Sequence, residues 1–143
     1  MQVSLATMLL SLAFLFGALL VPDVGERKLL DDCIGANDKT FCLYKTDVTP
    51  AEGDTLGSYT EADFTGYAAK TLTAGSWNAA STSTGTTSKT YAAQVFTSSG
   101  ASQTIYGYFV KNGATLLWSE KFATARTLVS PDTLTITPAI QLD

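Results

Sequence analysis

Four carboxylates, Glu52, Asp54, Glu61 and Asp63, cluster in this chain and are a candidate source of acid–base chemistry. A glycoside hydrolase needs two such groups facing each other across a cleft, one with a raised pKa. A calcium loop needs several oxygen ligands at fixed spacing, and the EF-hand spacing is not met. Solvated turns and strand edges account for the same four residues without any reaction, and that is the expectation. Cys33 and Cys42 offer two chemistries. They can form a bridge if the helix end folds back on the first strand, or they can remain buried thiols acting as small apolar residues. Histidine is absent. That excludes Ser-His-Asp and Cys-His catalysts, and it removes the commonest zinc ligand. No Gly-rich phosphate loop occurs, and none of the three Asn residues begins an N-x-[ST] sequon. The net charge of -4 and the lack of a Lys or Arg run argue against a nucleic-acid partner. The expectation is a protein that is not an enzyme, with no catalytic, cofactor-binding or metal-binding residue.

The aromatics Tyr106, Tyr108, Phe109, Trp118 and Phe122 concentrate in one short region. Aromatic platforms can stack sugars or bases, but core packing together with a subunit interface is the expected role here. These residues fall on the clearest local element, a hairpin over 103–122. Asn112-Gly113 is a favoured two-residue turn. It sets Lys111 opposite Ala114, Phe109 opposite Leu116, Gly107 opposite Trp118, and Tyr108 opposite Leu117. The indole would then cover the glycine, as in aromatic rescue. Apolar groups on both faces imply a hairpin covered on both sides, either within a sandwich or in an oligomer.

The remaining elements are mostly strands. Thr and Ser number 22 and 12, and Thr favours a pleated, half-exposed surface. Phe41, Leu43 and Val48 mark a first strand before Pro50, and 59–72 a second extended region with Phe64 and Tyr67 inward. Residues 91–97 form a further strand. Leu134, Ile136, Ile140 and Leu142 form a closing strand interrupted at Pro138. The polar segment 73–90 reads as a long exposed loop, with Trp77 as its one packing residue. Val24 to Ile34 reads as a short helix with Leu29, Leu30, Cys33 and Ile34 on one apolar face and Glu26 toward water. Asp23 is placed to cap its start and Gly35 to stop it. Residues 1–22 carry no charged side chain. Three readings fit them: a segment packed against protein, a cleaved signal, or a membrane anchor. The fold class that follows is all-β, an antiparallel sandwich or barrel with jelly-roll topology among the options. Its organisation is an apolar N-terminal arm (1–22), a linker helix (23–36) and a β-sandwich domain (37–143).

The phrases VPDVGERKLLD (Val21 to Asp31), LYKTDVTPAEGDT (Leu43 to Thr55), ADFTGYAAKTL (Ala62 to Leu72), QTIYGYFV (Gln103 to Val110), LLWSEKFA (Leu116 to Ala123) and TLTITPAIQLD (Thr133 to Asp143) resemble small structural proteins of tailed bacteriophages. The resemblance implies a non-enzymatic β-domain of the virion, a capsid decoration or cement protein that binds and stabilises the shell. It implies the major capsid protein and copies of the chain itself as partners. The interface residues expected on this basis are Leu9, Leu12, Phe16, Val21, Leu29, Leu30 and Ile34. A head-fibre or tail component is the nearest alternative. A secreted or membrane-tethered β-sandwich binding module is the other, and it differs from the virion reading in the fate of residues 1–20.

Overall fold

Pro22 fixes the beginning of the one α-helix, α1 (Asp23–Gly35), from the cap position, where its φ of -64° is preset. Its carbonyl accepts from the backbone N–H of Gly25 and of Glu26. Asp23 therefore stands inside the first turn, where its charge suits the positive helix end, and makes no side-chain cap bond. Gly35 remains helical and Ala36 follows in the right-handed region, so the expected left-handed stop is not used. The structure, a computed structural model, describes residues 21–142.

Nine strands follow among the described residues: β1 (Lys39–Tyr44), β2 (Lys70–Leu72), β3 (Ser81–Ser83), β4 (Thr86–Thr90), β5 (Gln94–Thr97), β6 (Gln103–Asn112), β7 (Thr115–Leu128), β8 (Thr133–Ile136) and β9 (Ala139–Leu142). All pair antiparallel. They form a four-stranded sheet in the order β2-β1-β6-β7, a three-stranded sheet β3-β4-β9 and the pair β5-β8. The fold is all-β and sandwich-like.

Alternation along β1 explains why FCLY and YFV are apolar without a break. Phe41 and Leu43 point to the main core, which they share with Tyr108 and Val110 of β6, Leu72 of β2, Phe96 of β5, and Leu30 and Ile34 of α1. Cys42 and Tyr44 point the other way, with Phe109, into a second cluster closed by Val48, Leu56 and Tyr59. Side chains alternate with period two, so a strand covered on both faces must be apolar throughout. The segment between β1 and Ala62 supplies that second cover from within the chain. It is held by Lys45 N–H to the Thr60 carbonyl and Ala62 N–H to the Leu43 carbonyl, each at 2.9 Å.

Three further sequence expectations need correction. The β6–β7 hairpin turns at Gly113-Ala114, with Asn112 paired to Thr115. Gly113 has φ +56° and Ala114 is not in the positive region. That is the II′ pattern with glycine at the first central position, whereas Asn-Gly in the loop would need both positive. The loop thus moves by one residue, and a further irregularity between Val110 and Lys111 shifts the ladder again. Val110 faces Trp118, Tyr108 faces Glu120 and Gly107 faces Lys121.

The segment 73–90 is not one exposed loop. It holds a 3₁₀ turn (Ala74–Ser76) and the β3–β4 hairpin, whose turn residues Thr84 and Gly85 both have positive φ, 49° and 84°. Thr87 is fully buried, and Trp77 packs edge-on against Tyr91 and Trp118.

The helix presents a different face from the expected one. Glu26, Leu30 and Ile34 are buried, while Leu29 and Cys33 are exposed. The cause lies in the β3–β4 hairpin. Arg27 donates to Thr82 Oγ1 at 3.0 Å, the Lys89 ammonium pairs with Asp31, and the Ala80 N–H donates to Asp31 Oδ1. Arg27 and Asp31 lie on the side of the stripe away from Leu29 and Cys33, so docking through them turns that pair outward.

The closing strand breaks at Pro138 as its missing donor requires. Its halves, β8 and β9, join different sheets.

Candidate functional site

The four carboxylates that opened the question do not converge. Asp54 accepts from the Ala51 N–H at 2.8 Å and from the Tyr59 hydroxyl at 2.6 Å, bracing the turn that covers the second cluster. The Tyr59 hydroxyl holds the Asp54 carboxyl below the usual carboxylate range, helped by the Ala51 N–H. Glu61 accepts from the Tyr67 hydroxyl at 2.8 Å, and Tyr67 in turn accepts from the Leu43 N–H. Asp63 is bound by Lys45 at 2.6 Å and by the Gln103 amide, and the Lys45 bond holds its carboxyl low. Glu52 stands exposed on the turn. A general acid requires a carboxyl held high, and Asp54 and Asp63 are both held the other way. Each of the three bonded carboxylates has a fold-holding partner. Among the described residues no group of three or more His, Cys, Asp or Glu side chains is arranged to hold a metal ion.

Both cysteines are free thiols, Cys33 exposed on α1 and Cys42 in the second cluster. Burial pushes the Cys42 thiol up to about 12, with the Glu61 charge adding to the effect. A buried thiol of that kind is a packing group.

The hairpin aromatics divide between the two cores. Tyr108 lies in the main core against Phe41, at a ring distance of 5.0 Å, and Phe109 stacks on Tyr59 in the second. Trp118 and Phe122 are half-buried at the border of the main core. The covering groups on both sides come from this chain.

Of the expected interface residues, Leu9, Leu12 and Phe16 lie outside the described residues. Leu30 and Ile34 are 3% and 6% exposed inside the chain's own core, so they are packing residues and present no free surface. Val21 is half-buried. Leu29 is 49% exposed, and Val24, five residues earlier on the helix, is 68% exposed. Among the described residues no helix is long and apolar enough to cross a membrane.

A feature that the sequence reading missed is the free border of the large sheet. β7 is 14 residues long and lies at the sheet edge, with β6 as its one strand neighbour among the described residues. Beside it runs a cleft in two parts. One, of about 450 Å³, lies between Tyr108, Trp118, Glu120 and the β9 residues Ile140 and Gln141. The other, of about 420 Å³, lies between Glu120, Phe122, Arg126 and the β8 residues Leu134 and Ile136. Glu120 lines both. Its Oε2 accepts from the Tyr108 hydroxyl at 2.5 Å, and among the described residues neither Glu120 nor Arg126 enters an ion pair. Glu120 stands opposite Tyr108 and Arg126 opposite Ile105, and between them β7 bulges, with residues 122–125 set against Tyr106 alone, so the spacing of the two charges in sequence carried no signal.

Comparison with protein-family models, with characterised proteins and with solved structures finds no match to this chain.

Proposed function

We propose that this chain is a non-enzymatic virion structural protein, a decoration or cement protein that binds a viral shell and associates with copies of itself. The observation that carries the reading is the outer side of α1. Val24 and Leu29 are left in solvent on a helix that directly follows 22 residues without a charged side chain. Apolar side chains held outward on a rigid, docked element fit a surface buried on assembly. The bonding of Asp54, Glu61 and Asp63 within the fold supports the non-enzymatic part, because each has a structural task. The phage-like phrases along 21–143 supply the class of assembly.

The test is binding of the full-length chain to shells prepared without it. Wild type binds at a fixed number of copies per shell. Leu29→Ser, and separately the pair Leu12→Ser with Phe16→Ser, lose binding while keeping the wild-type circular dichroism spectrum. Variants that bind as tightly as wild type overturn the assignment of these residues, and a wild-type chain that does not bind overturns the function.

A further inference from the structure

The break at Pro138 and the bulge in β7 together open the cleft. β8 and β9 join different sheets, and neither pairs with β7 among the described residues. On the facing wall the β6 ladder is interrupted at residues 122–125. A bulge of this kind blunts an edge against strand pairing and re-aims side chains beside binding sites. What remains between the strands is a space in two parts, about 450 and about 420 Å³, each within the size range of small-ligand sites.

The floor of the cleft is aromatic and apolar. Trp118, Phe122, Leu134, Ile136 and Ile140 pack against the main core from its edge, each only partly covered. The polar groups of the wall are held in place but not satisfied. Tyr108, 3% exposed, donates to Glu120 Oε2 and so fixes the carboxylate, whose Oε1 accepts no hydrogen bond among the described residues. The Trp118 indole N–H, beside the same phenol, is buried and reaches no acceptor. A hydroxyl meets both needs, because it gives one hydrogen bond and takes others. Flat aromatic side chains next to such groups suit the C–H faces of a pyranose ring. Arg126 and Gln141 continue the polar edge along the cleft. The Glu120 carboxylate and the net charge of -4 select against acidic sugars.

We propose that the cleft between β7 and the β8 and β9 edges binds a neutral oligosaccharide, with Glu120 and the Trp118 indole N–H sharing a sugar hydroxyl and Phe122 against a ring face. The site goes beyond the shell-binding reading and does not depend on it.

The experiment titrates the full-length chain with a panel of short neutral oligosaccharides built of hexose or N-acetylhexosamine units. Calorimetry measures the affinity and intrinsic fluorescence locates the ligand. The chain has two tryptophans, and Trp77 packs edge-on against Trp118, so a ligand on Trp118 shifts the emission. At least one member of the panel should bind saturably at submillimolar concentration with such a shift. Glu120→Gln keeps an acceptor for the Tyr108 hydroxyl and should weaken binding about tenfold, the scale of one charged hydrogen bond. Trp118→Phe keeps a ring at the wall, removes the donor and should weaken binding by a similar factor. Far-ultraviolet circular dichroism checks both folds, and if one variant is unfolded the other decides. Failure of every member of the panel to bind overturns the site. So does full-strength binding by the folded variants, which puts the sugar elsewhere. Equal affinity for cyclohexanol also overturns it, since the cleft would then be a plain apolar pocket.

Discussion

Tyr44 stands directly opposite Gly107 across the β1–β6 ladder, and its phenol fills the space that a side chain at Gly107 would occupy. The Tyr44 hydroxyl donates to the Glu120 carbonyl at 3.2 Å, so one ring closes the second cluster and ties β1 to β7 across the intervening strand. A Cβ at Gly107 would overlap both the Tyr44 phenol and that carbonyl oxygen. Gly107→Ala should therefore destabilise the fold by about 3 kcal/mol, the upper range for overpacking. Urea unfolding measures it, and a loss below about 0.5 kcal/mol, the scale of an unremarkable surface change, would contradict the packing described.

The same pair illustrates what the sequence could and could not convey. That an aromatic should cover Gly107 was legible from the glycine in an apolar strand. Which aromatic was not, because the choice depends on the register of β6 with two neighbours. The period-two runs in FCLY and YFV, the break at Pro138 and the all-β class were all readable from side-chain alternation. The β3–β4 hairpin was not, since its strands are polar Thr and Ser and their buried members, Thr87 and Lys89, have no hydrophobic signal. The rotation of α1 escaped for a related reason. It is set by polar docking through Arg27 and Asp31 to that same hairpin. The cleft beside β7 had no sequence signal either, because it depends on which strand ends the sheet and on the bulge between Lys121 and Arg126.

Thr84 holds φ +49° at the first turn position of the β3–β4 hairpin, a conformation that a β-branched residue adopts at a cost. Asn accepts it readily, and Asn-Gly is the preferred pair for this turn. Thr84→Asn should stabilise the protein by about 1 kcal/mol. A midpoint of thermal unfolding that fails to rise would speak against the strained turn.

Lys89 is 5% exposed, and its counter-charge is Asp31 on α1. Removing that charge with Asp31→Asn leaves a buried ammonium without its partner and loosens the helix. The expected loss is about 2 kcal/mol at neutral pH, lower than for a wholly buried pair because Asp31 is itself half exposed. The Lys89 bond lowers the Asp31 pKa from its ordinary 3.8. A depressed folded-state value means that this contribution is fully present above 3.8 and fades as pH falls below it. Urea midpoints at pH 7 and pH 3 should thus differ less for Asp31→Asn than for wild type. An equal acid dependence in both proteins would count against the pair.

The two thiols should react at separate rates. Cys33 is exposed, whereas Cys42 is buried and its thiol is pushed up to about 12. In native protein at pH 8 one equivalent per chain should react with a disulfide reagent, and the second only after denaturation. Two equivalents reacting together would place Cys42 elsewhere. No reactive thiol in the unreduced, denatured chain would mean that the two are bridged.

The central claim, that this chain is a structural component of a viral particle, is tested most directly by intact mass spectrometry of the chain in its native particle, after size-exclusion chromatography. The expected result is an uncleaved chain of 15.1 kDa co-eluting with a megadalton assembly at constant stoichiometry. A species about 2 kDa lighter, running free as a small protein, would mean that the first 20 or so residues are a removed signal, and would contradict it.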